Sequence, residues 1–160
     1  MKFLVLLLTG IVVLIGVTMA SASESKVRLI KLFVQTTTSE LMRESLPLGD
    51  SKGDVYIGSS RLKNATAQFG KRKGAVVGRD RFRLDLSSAE VATMRVTATL
   101  PGGTITCRGL INLRRVRNVV RVVGTTGAFA HGRGTCEATG APKYRPRGEA
   151  STTYKLQIPG

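Results

Sequence analysis

From residue 54 onward the chain runs in short stretches whose side chains switch between apolar and polar at every second position, with Gly, Pro, Ser or Asn between them. Period-two alternation sends successive side chains to opposite faces, so each stretch predicts a β-strand. The stretches are Asp54–Ser59, Val76–Leu86, Val91–Leu100, Thr104–Leu113, Val116–Val123, Ala128–Ala138 and Ser151–Ile158. In the clearest, Arg79, Arg81 and Arg83 alternate with Phe82, Leu84 and Leu86. Thr93, Arg95, Thr97 and Thr99 likewise alternate with Met94, Val96 and Ala98. Pro101-Gly102-Gly103 marks a turn, after which Ile105, Cys107, Gly109 and Ile111 share one side. Upstream, Val27–Val34 is a short β-prone run, Thr36–Glu44 is polar and undecided, and Pro47 and Gly49-Asp50 punctuate. No segment past residue 45 carries a 3.6-residue period. About eight strands and almost no helix predict an all-β chain, whose open edges are resolved by closing into a barrel or packing as a sandwich. Short connections favour an up-and-down meander, and a barrel of about eight strands is just wide enough to hold one small ligand.

The N-terminal segment departs from this pattern. Lys2 is the only charge before Glu24, Phe3–Val17 is apolar, and Ala20-Ser21-Ala22 has the small-x-small form of a signal-peptidase site. Cleavage after Ala22 and export are expected. The alternative is an uncleaved anchor, because the uncharged run approaches the ~20 residues that span a bilayer. The expected organisation is a signal peptide over 1–22, a lead-in with the first strand over 23–44, and one barrel domain over 45–160. No linker is long enough to mark a second domain.

Export changes the meaning of the 2 cysteines, Cys107 and Cys136. In an oxidising compartment they are expected to pair, closing a loop that would stabilise by roughly 3–4 kcal/mol; otherwise they are two buried thiols. Asn64-Ala65-Thr66 is a glycosylation sequon in the polar stretch Arg61–Gln68, which reads as a loop. Such triplets also arise by chance.

Candidate chemistry is sparse. With 1 His, 2 Cys and no Trp, there is no ordinary four-ligand zinc site. No G-x-S-x-G elbow flags a serine nucleophile. The glycines at Gly70-Lys71-Arg72 and Gly124-Thr125-Thr126-Gly127 lack phosphate-loop or dinucleotide spacing and read as turns. The formal charge of +15 is spread over Lys71–Lys73, Arg79–Arg83, Arg114–Arg121 and Lys143–Arg147. Aromatics make up 5% of the chain, too few for the base-stacking surfaces of nucleic-acid binders, so no nucleic-acid partner is expected. The charge reads as solvated strand faces, or as a binding surface for acidic polysaccharide or an anionic membrane.

After Gly127, Phe129, His131, Arg133 and Thr135 alternate with Ala130, Gly132, Gly134 and Cys136. A face bearing Phe, His and Arg together suits a binding cavity, where a desolvated Arg would hold a carboxylate or phenolate. The competing reading is an outward Arg on a solvated strand.

The stretch Val123-Gly124-Thr125-Thr126-Gly127-Ala128-Phe129-Ala130-His131-Gly132-Arg133-Gly134 resembles the G-x-F-x-x-A-R-G strand of plant dirigent proteins and the related allene oxide cyclase-like barrels. Leu48-Gly49-Asp50 with Gly53-Asp54-Val55-Tyr56 resembles that family's first long strand, and Gly70-Lys71-Arg72-Lys73-Gly74 its glycine-bounded connection. Leu100–Thr106 with Gly109-Leu110 is similar to its mid-barrel hairpin, and Tyr154-Lys155-Leu156 to its closing strand. The likeness runs roughly from Ser45 to Pro159. It implies an eight-stranded antiparallel calycin-like β-barrel, a homo-oligomer (dimer or trimer), and one apolar cavity. It also implies one of two activities. Dirigent proteins direct stereoselective coupling of phenoxy radicals made by a separate oxidase; allene oxide cyclases shape the ring closure of an oxidised fatty acid. Neither needs a cofactor, so none is expected. The ligand expected is small and hydrophobic or phenolic, and the protein is expected to be extracellular. If it carries no activity, it is a basic binding module for a small ligand or an anionic surface. Carried over by position, Arg133 matches the motif's pocket arginine and Phe129 its aromatic; Arg133 is the catalytic candidate, and Phe129, His131, Tyr56 and Asp54 are the ligand-binding candidates. Asp54, Tyr56, Asp80 and Glu137 are the possible proton donors or acceptors. Gly132 stands where the family motif has Ala, and Ser59-Ser60-Arg61 where many relatives carry an acid.

Overall fold

The computed structural model describes residues 25–140 and 149–159. The expected signal peptide and its cleavage site after Ala22 lie outside the described residues. Eight strands follow one another: β1 (Lys26–Arg43), β2 (Val55–Asn64), β3 (Val76–Leu86), β4 (Val91–Leu100), β5 (Gly103–Asn112), β6 (Arg117–Thr125), β7 (Arg133–Thr139) and β8 (Glu149–Ile158). Each pairs antiparallel with the next, and β8 pairs with β1, so the sheet closes into an eight-stranded barrel. Closure leaves no unpaired edge.

The alternation explains the wall. On β3, Asp80, Leu84 and Leu86 are buried while Arg79, Arg81 and Arg83 are exposed. On β4, Ala92, Ala98 and Leu100 turn inward. Burying each such leucine contributes about 1.5–3 kcal/mol.

β1 differs from expectation. It is 18 residues long and takes in the undecided segment Thr36–Glu44 as far as Arg43. Its first part, Lys26–Gln35, pairs with β8; its later part, Leu32–Arg43, pairs with β2 through two register shifts. The first strand expected within residues 23–44 is therefore a stave of the barrel, paired on both sides. Period two is weak in Thr36–Glu44 because the irregularities at Thr36/Thr38 and Leu41/Arg43 reset the alternation.

The segment after Gly127 also departs from the expected continuous strand. Gly127–Phe129 is a single 3-10 turn, and β7 starts only at Arg133. Gly127 has φ +61°, and a Cβ there would strike the Gly102 carbonyl. The turn thus seats directly on the β4–β5 hairpin, where Ala128 N donates to Gly102 O (2.7 Å). Phe129 drops into the barrel and is fully buried. His131 has φ +61° and breaks the alternation assumed for residues 128–138.

Cys107 on β5 and Cys136 on β7 form a disulfide, with Cα atoms 6.4 Å apart. Both side chains are buried on the lumen side. Cys107 lies opposite Val122 and Cys136 opposite Val120, so the bridge clamps β6 between its neighbours from within.

Candidate functional site in the barrel lumen

The lumen has a filled half and a hollow half. Near the β2–β3, β4–β5 and β6–β7 connections it is packed with Ile30, Leu32, Leu62, Leu100, Ile105, Phe129 and Leu156. Arg28 closes this end, its guanidinium carbon 5.0 Å from the Phe129 ring centre and 5.5 Å from that of Phe69.

Toward the other end lies a cavity of about 180 Å³, far more than the ~10–15 Å³ one water needs. Val34, Phe82, Leu84, Met94, Val96 and Ile111 form its apolar wall, and Thr36, Ser60, Asp80, Asn118, Thr152 and Tyr154 bring polar atoms to it. Small residues leave the space open there: Ala138 on β7, Gly140 just after it, and Ala150 and Ser151 on β8 all line it. On β2, Gly58 has no side chain where a Cβ would meet the Phe82 ring, so Phe82 lies across the inside of β2.

Asp80 is the chemically distinctive group. It is 4% exposed, and its Oδ1 has no hydrogen-bond partner. Burial pushes its carboxyl up to about 6, and hydrogen bonds from Ser60 only partly offset this. Tyr154 is 1% exposed; burial first, and then the charge of Asp80, push its phenol above the ordinary range, while a hydrogen bond with Thr152 acts the other way. Thr152 Oγ1 donates in turn to Glu137 O (3.1 Å). A carboxyl titrating near neutrality, with one oxygen left without a partner beside a mostly apolar cavity, can take a proton from a bound molecule or return one.

The residues singled out from sequence are not gathered here. Arg133 and His131 are exposed, and they flank a separate surface depression with Arg121 and Thr125. Arg133 is the first residue of β7 and points outward, so it does not line the cavity. Phe129 is inside the barrel but belongs to the packed half. Tyr56 is half-buried at the start of β2 and donates to Asp50 Oδ1 (2.7 Å); burial and this bond raise its phenol.

Asp54 is a loop anchor. Its carboxylate accepts from Ser51 N (2.9 Å) and Ser45 N (2.6 Å), and these bonds, that of Ser51 first, hold it below the usual range. Glu137 pairs with Arg117 on the outer wall (2.6 Å).

Asn64 is fully buried at the end of β2, and its Nδ2 donates to Gln68 O (2.7 Å) and Lys71 O (3.0 Å). A glycan on that nitrogen and these bonds exclude each other, so in the folded chain Asn64 organises the β2–β3 connection. Residues Arg61–Asn64 are strand, and the loop begins at Ala65.

Of the groups facing the cavity, Asp80 had a usable sequence signal. It falls on the same parity as Phe82, Leu84 and Leu86, the apolar phase of its strand.

Solved structures share this architecture. A pyocyanin demethylase superposes with a TM-score of 0.65 at 21% identity, over 81% of this chain and 100% of that one. The chain shares its eight-stranded antiparallel barrel fold with these structures. A pterocarpan synthase dirigent protein matches at TM-score 0.64 and 18% identity, over 85% of this chain and 91% of its own. A Diels Alderase from Streptomyces koyangensis matches at 0.64 and 17%, over 88% of this chain and 73% of that one. No protein-family model and no curated protein sequence matches the chain. At these identities the likeness is one of fold alone.

Proposed function

We propose that this dirigent-type barrel encloses a small, mostly apolar reactive molecule in its hollow half and steers its stereoselective cyclisation or coupling. The observation that carries the reading is the unpartnered Oδ1 of buried Asp80 facing an apolar cavity. A buried polar atom left unsatisfied costs stability, and a ligand hydroxyl or N–H satisfies it. The apolar wall then holds the rest of the molecule in one conformation while water is excluded. Restricting conformers lowers the barrier to one product geometry, and a preference of about 1.4 kcal/mol between two faces is already tenfold. Asp80 holds the molecule's hydroxyl or N–H at its unpartnered oxygen, and Tyr154 and Thr152 orient the polar end. The dirigent proteins and the Diels Alderase of like fold make coupling and ring closure the reactions to try first.

On the same reading the protein is exported, since the apolar N-terminal run precedes a chain whose cysteines are bridged, as suits an oxidising compartment. It associates with copies of itself through the outer face of β1, where Val27, Leu29 and Phe33 are exposed.

The test is product chirality. Monomeric phenols are oxidised by an added one-electron oxidant, and linear dienes with tethered dienophiles are incubated alone, each with and without protein. Wild type gives an enantiomeric excess in one series, and Asp80→Ala loses it while keeping its fold by circular dichroism. Racemic product throughout, or an excess that survives both Asp80→Ala and the cavity-filling Ala138→Phe, overturns the reading.

A further inference from the structure

The outer wall carries a feature that neither the lumen nor folding stability explains. Arg83, Arg95, Arg108 and Arg121 occupy directly opposed positions on β3, β4, β5 and β6. Opposed residues of antiparallel strands project from the same face, so the four guanidinium groups form one exposed row across half of the eight-stranded barrel. Arg81 lies beside the row on β3. Like charges set directly opposite one another destabilise a sheet. Arg83 pairs with Asp85 (2.8 Å), whose charge also acts on Arg108; among the described residues no direct ion pair involves Arg95, Arg108 or Arg121.

We propose that this arginine row is a binding site for a linear anionic polysaccharide. Four observations select that partner. Neighbouring strands are ~4.8 Å apart, so the row presents a charge at each strand step, matching a polymer with regularly spaced anions. Arginine forks bind sulfate and carboxylate in bidentate fashion. The row follows the convex wall over four strands, which a flexible chain can track and a flat bilayer can touch only along a line. The same face carries no Phe, Tyr or Trp, so it offers neither stacking platforms for bases nor aromatic anchors for a membrane. Thr97 and Thr106 stand beside the row with hydroxyls 3.1 Å apart, able to meet sugar hydroxyls.

The experiment measures binding of a heparin octasaccharide and of an oligogalacturonate to the full secreted chain at low salt, by isothermal titration. Two charge-matched double variants are compared: R95E/R108E in the row, and R72E/K73E in the exposed β2–β3 connection. R95Q/R108Q provides a milder change should the reversed pair fold poorly. The row variants are expected to weaken binding of at least one glycan by roughly tenfold or more, and the loop variant by less than about threefold. Equal losses in row and loop variants overturn the proposal, because net charge alone then accounts for binding. So does tight binding to phosphatidylserine vesicles with neither glycan bound, which makes the face a membrane surface. Failure of wild type to bind either glycan overturns it as well.

Discussion

The two halves of the lumen are built from the same strands and do opposite things. In the packed half, large side chains from every direction meet: Ile30, Leu62, Leu100, Ile105, Phe129 and Leu156 fill the space, and Arg28 covers Phe129. In the other half, part of the wall near β7 and β8 is small, with Ala138, Gly140, Ala150 and Ser151, and a cavity of about 180 Å³ lies there. One half therefore contributes stability through packing, while the other gives up packing for space and holds a carboxyl that burial disfavours as an anion. The lesson is that a small barrel does not choose between being a core and being a container; it partitions its length between the two.

The largest expected effect breaks the packed half. Phe129→Ala should cost about 3–5 kcal/mol, as for buried aromatics elsewhere. Met94→Ala, which only widens an existing cavity, should cost less than about 2 kcal/mol. Thermal melts of the two variants check this, and equal losses would show that the halves are not distinct.

The next effect sharpens the description of the hollow half. Asp80 titrates at about 6 in the folded chain, against ~3.9 when unfolded. Below about pH 4 both states are protonated and the group makes no difference. As pH rises from about 4 to 6 the unfolded chain releases its proton first, so stability falls, and the full penalty is present above about pH 6. Asp80→Asn should therefore be more stable than wild type at about pH 7, by on the order of 2–3 kcal/mol, and indistinguishable near pH 4. Calorimetric melts at the two pH values test the sign. A variant less stable at neutral pH would mean that the carboxylate is held by partners.

The smallest effect concerns Arg133. Exposed and outside the cavity, it should change stability by less than about 0.5 kcal/mol when replaced by Ala, and leave product chirality untouched. A collapse of enantiomeric excess in Arg133→Ala with Asp80→Ala unaffected would move the site to the other end of the barrel.

The strands were legible because period two is a local property. Val76–Leu86 and Val91–Leu100 emerge with the limits expected of them, and the cysteine pairing expected from an exported chain is present. The candidate site was far less legible. Carrying Arg133, His131 and Phe129 together assumed one continuous strand over residues 128–138. A 3-10 turn and the positive φ of His131 interrupt it, and a single interruption sends the three side chains to different places. Asp54 and Tyr56 lie apart from the cavity: polar side chains beside glycine-rich turns serve backbone N–H groups and neighbouring carboxylates as readily as ligands. Asp80 was visible as a parity anomaly, an acid on an apolar phase, but parity does not tell a plugged lumen from a hollow one. That distinction arises from Ala138 on β7, Gly140 just beyond it, and Ala150 and Ser151 on β8, all distant in sequence from β3.

The eighteen-residue β1 carries a consequence for how such a vessel comes into being. Its early residues are hydrogen-bonded to β8 and its late residues to β2, so the first and last strands of the barrel share one seam. Seven strands make an open, curling ribbon with two raw borders. The compartment around Asp80 exists only once the final strand arrives, and any shortened chain lacking β8 is left with no inside at all.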